Sequence, residues 1–205
     1  MPNWTFNDLK VETTEWLYED KKEKKEAEKQ LDEFIESSVS EGKESEDKSS
    51  ADFPRGDEKK PIERVFSFQG VVPMPKELQI TSPAHTDEEK AQAEINEKKY
   101  GAKDWYDWCN LNWGTKWDAC NSHISDEGRD EKWEEYFIRI AFDTAWCPPF
   151  EYLQKATEKY PLLRFTCQVE EESEAFLGNL ICQWGKLVDN TVSIDFPERD
   201  KEGDE

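Results

Sequence analysis

Alternation of apolar and polar side chains gives way repeatedly to a 3.6-residue period along the chain, and the changes mark its elements. Trp4 and Phe6, then Leu9 and Val11, alternate with one change of phase, which predicts a first strand with a bulge. Over 20–38, Ala27, Leu31, Phe34 and Ile35 recur at helical spacing among Glu and Lys, predicting a long helix with a narrow buried stripe. RVFSFQGVV (64–72) reads as a strand stopped by Pro73. Thr86 with Glu89 forms a capping-box pattern opening a helix to about Tyr100, which Gly101 closes. A second helical stretch, 103–113, sets Trp105, Trp108 and Cys109 on one side and Tyr106 and Trp113 on another, before Gly114 stops it.

WEEYFIRIAFD (133–143) alternates cleanly, with Tyr136, Ile138, Ile140 and Phe142 pointing one way. Pro148-Pro149 opens a helix with Phe150, Leu153, Thr157 and Tyr160 on one face, and Pro161 ends it. Leu163, Phe165, Cys167 and Val169 make the next strand. Phe176, Leu180, Cys182 and Trp184 make another, with Gly185 turning the chain toward Val192–Ile194. The order predicts an α+β fold, a ferredoxin-like split βαβ antiparallel sheet with one extra strand. A helical, Trp-rich insertion (79–118) is expected between the second and third strands. The helices would cover one sheet face, leaving the other open or partly covered by the insertion.

Composition changes this picture in two places. Among 205 residues, 48 Asp+Glu stand against 27 Lys+Arg, for a formal charge of −21, yet nine tryptophans hold the aromatic share at 13%. Low apolar content with high charge points to disorder, and aromatic richness points to a core. A single domain spanning 1–205 reconciles them if residues 40–60 form a flexible acidic linker and residues 197–205 a disordered acidic tail. The charge excludes a nucleic-acid groove, which needs clustered Lys and Arg. No apolar run approaches the roughly 18 residues of a membrane helix, and MPNWTFNDLK lacks the features of a signal peptide. A cytoplasmic location in a bacterial host is the expectation. Five cysteines without a C-x-x-C, and only His85 and His123, predict free thiols with no metal or cofactor.

Several fragments together carry a resemblance: MPNW (1–4), VVPMPKEL (71–78), YGAKDWYDWCNLNWGTKWDA (100–119), FDTAWCPP (142–149) and EKYP (158–161). In order and spacing the chain resembles the YubB ferredoxin-like family of bacteriophages and plasmids. The resemblance implies a ferredoxin-like fold and a mobile-element origin, and no settled activity. Where that family commonly has Ser in TAWSPP, this chain has Cys147, which removes a helix N-cap oxygen before Pro148.

Three groups are candidates for function. Trp105, Trp108, Trp113, Trp117 and Trp146 could form an aromatic pocket or stacking platform for a small ligand or nucleotide, or could pin the insertion onto the sheet. Lys116, Asp118 and Asp143, with Asp104, Asp107, Asn112 and His123 nearby, offer a base and carboxylates, or structural turn contacts. No Ser-His-Asp set, phosphate loop or HExxH accompanies them, so no catalytic residue is assigned. Glu170, Glu171, Glu172 and Glu174 form the sharpest acidic cluster in a C-terminal stretch (168–205) with 11 acidic and 3 basic residues. Such a surface steers onto a basic patch or serves solubility alone. The expected function is non-enzymatic binding of a host protein with a basic surface, a defence or nucleic-acid-processing factor. Neither nucleic acid nor membrane is expected as a direct partner.

Overall fold

A computed structural model of the chain describes residues 3–13, 18, 20–42, 64–81, 84–130, 135–173 and 175–192. Its elements are β1 (Trp4–Thr13), α1 (Lys21–Ser38), β2 (Val39–Glu41), β3 (Arg64–Phe66), α2 (Asp87–Tyr100), α3 (Trp105–Asn112), β4 (Cys120–Asp130), β5 (Glu135–Ala145), α4 (Phe150–Lys159), β6 (Arg164–Glu171), β7 (Leu177–Gln183) and β8 (Lys186–Asn190). The main sheet has six strands in the order β4-β5-β1-β6-β7-β8. Every neighbouring pair is antiparallel. β4-β5-β1-β6 is the ferredoxin-like core: after β1 and α1 the chain re-enters this sheet as β4, two positions from β1 with β5 between them, and α4 makes the matching crossover from β5 over β1 to β6. β7 and β8 extend it on one side.

β1 sits at the centre and shows why the sequence suggested a bulge. Its register with β5 is continuous from Trp4↔Ala145 to Thr13↔Tyr136. Thr5, Asn7, Leu9, Val11 and Thr13 are all buried on one face, while Phe6 faces out. The phase never changes, because two polar residues occupy inward positions that the pattern reserves for apolar ones. Asn7 is affordable there since its amide donates to Thr5 O (2.8 Å) and Thr144 Oγ1 (3.0 Å).

The second core strand is β4, which the sequence hides. CNSHISDEGRD is polar and contains glycine, and two register shifts, between Cys120 and His123 and between Ile124 and Asp126, break its alternation. The expected strand 64–72 shrinks to β3, which pairs with β2 as a separate two-stranded sheet. A 3₁₀ turn at Phe68–Gly70 follows, capped by the Ser67 hydroxyl. Two corrections result: the helical insertion precedes the second core strand instead of following it, and Ser40 and Glu41 belong to β2 instead of a linker. Residues 43–60 of that linker, the tail 197–205 and Ile194 lie outside the described residues.

α1, α4 and the insertion build a single layer on the face carrying Leu9, Val11, Ile138, Ile140, Phe165 and Cys167. α1 starts where Asp20 Oδ1 accepts the amides of Lys22 and Glu23, and buries Ala27, Leu31 and Phe34, as its spacing predicts. α2 carries the full Thr86–Glu89 capping box and ends at Gly101. Phe66 anchors the layer, with its ring 5.2–6.3 Å from those of Phe34, Phe68, Phe142 and Tyr152. Among the described residues, the opposite sheet face is left open at Phe6, His123, Gln168, Glu170 and Leu177.

The last hairpin also departs from expectation. Trp184 lies in the turn with Gly185, both at positive φ (53° and 73°), and among the described residues the strand after the turn is β8, which starts directly at Lys186. That conformation suits Asn-Gly and strains a tryptophan, which here is 58% exposed. Trp184→Asn should therefore raise stability by about 1 kcal/mol, read as a higher urea midpoint with unchanged slope.

Candidate binding surface

Four of the five fragments that carry the resemblance, through residues 3–4, 72, 113–117 and 145–147, meet at one end of the sheet, where they form a clasp. Thr115 is fully buried; its hydroxyl donates to Ala145 O (2.9 Å) and accepts from Ala145 N (3.2 Å). Beside it Cys147 Sγ donates to Gly114 O (3.1 Å), and Trp113 Nε1 donates to Val72 O (2.9 Å). Trp146 N donates to Asn3 O (3.0 Å), and the Trp4 and Trp117 rings meet at 6.0 Å. Gly114 suits this joint because it holds φ 78°, a left-handed conformation that strains other residues. Cys147 is not a lost cap, because α4 begins later, with Pro149 at its N-cap and no side-chain cap bond.

The tryptophan block accordingly divides. Trp108 and Trp113 are buried in the core, with rings 5.3 Å apart at 88°, so they pin the insertion and offer no ligand a surface. Trp105 is partly buried against the same core. Trp117 lies at the rim with Lys116 Nζ 4.6 Å from its ring centroid. Trp146 is 52% exposed at φ 74°. The five do not form one platform.

The polar candidates separate too. Asp118 accepts from Ser67 Oγ (2.6 Å), Phe68 N (2.7 Å) and Ala119 N (2.8 Å), a structural tie between the 3₁₀ turn and the approach to β4. Asp104 caps α3, and Asn112 receives Lys155 Nζ. In the acidic cluster, Glu171 turns inward and accepts from Ser173 N (2.7 Å) and Ala175 N (3.2 Å). Burial alone would raise its carboxyl, but those amides and the side chains of Asn3 and Ser173 hold it below the ordinary 4.5. Glu172 accepts from Trp4 N (3.1 Å). Glu174 lies outside the described residues. Only Glu170 of the described members stands on the open sheet face.

There it joins a trough of about 640 Å³ that the sequence reading missed. β1 supplies Phe6 and Asp8, β4 Asn121 and His123, β5 Ala141 and Asp143, β6 Gln168 and Glu170, and β7 Leu177 and Asn179. Among the described residues lining it are three carboxylates and no lysine or arginine. Asn121 Nδ2 holds Asp143 Oδ2 at 2.7 Å, and Arg139 stands 3.8 Å from Asp8. His123 and Asp143, named in one polar group from sequence, both line this trough. Trp4 lies on the same face of β1 as Phe6, with its ring against that of Trp117.

A family model agrees with the ferredoxin-like fold class. Residues 116–204, which span β4 to β8, match a family model described as a ferredoxin-like domain in Api92-like protein. A crystal structure of protein api92 from Yersinia pseudotuberculosis, assigned to the DUF1281 family model, is similar at 11% identity, with a TM-score of 0.43 over 96% of this chain and 99% of that one. No curated protein matches the chain.

All five cysteines are free. Burial pushes the Cys109 thiol up to about 12 and that of Cys182 to about 11. Burial also raises Cys120, Cys147 and Cys167, with Asp118, Glu151 and Asp8 respectively adding to it, so none of the five is an activated thiolate. No helix among the described residues is long and apolar enough to cross a membrane.

Two outcomes test these assignments. Trp113→Ala should cost about 3–5 kcal/mol in denaturant unfolding, whereas Trp113→Phe, losing chiefly the bond to Val72, should cost about 1 kcal/mol. Because the folded Glu171 carboxyl is depressed, its contribution is present above the ordinary value of 4.5 and fades as pH falls below it. Glu171→Gln should thus be less stable than the parent at pH 7, with the gap in urea midpoint closing below pH 4.5.

Proposed function

We propose that this protein is a non-enzymatic accessory protein of a phage or plasmid that binds a host protein through the open face of its sheet, with a defence or nucleic-acid-processing factor as target. The observation that carries this reading is the trough itself. Three carboxylates and an exposed Phe6 line it, and no lysine or arginine does among the described residues. A partner with a basic patch gains attraction and orientation from the carboxylates, and buried contact from the ring.

The rest of the sheet offers less. Its helix face is covered by α1 and α4, and both edge strands are interrupted. β4 carries two register shifts, and β8 carries one that leaves Val188 without a partner on β7. Bulged edges resist strand addition, which leaves the face as the accessible route. The mobile-element origin draws support from the resemblance of the clasp fragments.

The test is affinity capture from bacterial lysate with three baits. The first is the parent. The second carries Asp8→Asn, Asp143→Asn and Glu170→Gln. The third carries Glu36→Gln, Glu88→Gln and Glu94→Gln on the helices and has the same net charge as the second. A specific host protein retained at low salt by the parent and the helix variant, and lost by the face variant or at high salt, is the expected result. Equal retention by both variants would assign the binding to bulk charge and overturn the proposal.

A further inference from the structure

We infer that the trough seats an arginine side chain of the partner on the Phe6 ring, between Asp143 and Glu170; this rests on the reading of the open face as a protein-binding surface. Phe6 is paired directly with Asp143 on β5 and with Glu170 on β6, and Glu170 in turn with Leu177 on β7. Directly opposed residues hold their Cβ atoms about 5 Å apart on one face. The row therefore reads carboxylate, aromatic ring, carboxylate, leucine across four adjacent strands. The ring is 47% exposed, as is appropriate for a surface that receives a ligand in place of another core side chain.

The carboxylates are not equivalent. Asp8, one row along, already has Arg139 at 3.8 Å. Asp143 is oriented by the Asn121 amide, and neither it nor Glu170 has a cationic partner among the described residues. A cation placed over Phe6 meets both, with the ring quadrupole beneath it. Guanidinium fits this row better than ammonium: it is planar, stacks on the ring, and directs separate N–H groups to carboxylates on either side. Leu177 then lies where an aliphatic stem or neighbouring apolar residue would rest. The trough opens to solvent along the sheet, as suits a side chain presented by a protein surface.

The experiment is an NMR titration of the labelled protein with acetyl-Gly-Arg-Gly-amide and with its lysine and citrulline counterparts. Saturable shifts centred on Phe6, Asp143 and Glu170 are expected for the arginine peptide, weaker shifts for lysine, and none for citrulline. Phe6→Leu, at an exposed position, should keep the parent's spectrum elsewhere and weaken the arginine peptide about two- to fivefold. Equal response to arginine and citrulline, shifts centred elsewhere, or no effect of Phe6→Leu would overturn the arginine seat. Capture of the host protein separates this failure from the broader one. If Phe6→Leu leaves capture intact while the face variant abolishes it, the arginine seat falls and the binding surface stands. If both variants capture as the parent does, both fall.

Discussion

The mutual hydrogen bonds between Thr115 and Ala145 hold two halves of the molecule in register. A fully buried hydroxyl must find partners or carry a desolvation penalty of about 1–3 kcal/mol, and here the end of β5 supplies both a donor and an acceptor. That fixes the insertion against the sheet at one point. Trp113, two residues earlier, reaches the 71–78 segment, and Cys147, two residues beyond Ala145, reaches back to Gly114. The chain immediately after the insertion becomes β4, so the placement of the second core strand depends on this joint. The fragments that seem chemically suggestive in the sequence are chiefly devices for docking an insertion.

A second polar thread runs from the joint into the sheet. Asn7 donates to the Thr144 hydroxyl, which donates to Cys147 O at 2.9 Å. This satisfies a buried amide in the central strand and keeps β1 in a single phase, with Phe6, Asp8 and Lys10 all outward. Had the phase slipped by one residue, those side chains would exchange faces with Asn7, Leu9 and Val11. The trough exists because a polar residue is tolerated inside.

Much of the fold is legible in the sequence because α1, α4, β5 and β6 each present a regular period and a recognisable end, while α2 is marked by its capping box and Gly101. β4 is not, since its two bulges and polar composition erase alternation. β3 misleads because its apolar residues serve a 3₁₀ turn and an aromatic cluster instead of a long ladder. The trough is the least legible part. Phe6, Asp143, Glu170 and Leu177 are distant in sequence, and only cross-strand register makes them neighbours. The acidic run at 170–174 is visible at once, yet Glu171 and Glu172 are occupied by backbone amides, so local charge density overstated its free surface. The tryptophans misled in the opposite sense: abundance suggested a platform, and burial divided them between core and rim.

The interrupted edges also set a size. A sheet that does not extend beyond six strands spans about five inter-strand spacings of about 4.8 Å, or about 24 Å. Along the strands, the 10 residues of β1 at about 3.3 Å each reach about 33 Å. The face therefore offers at most about 800 Å², close to one partner's share of a standard protein–protein interface. A helix laid across the strands would have about 16 residues in reach at 1.5 Å rise each. The bulges act as rulers: they bound the footprint that a partner can leave on this face of the described sheet.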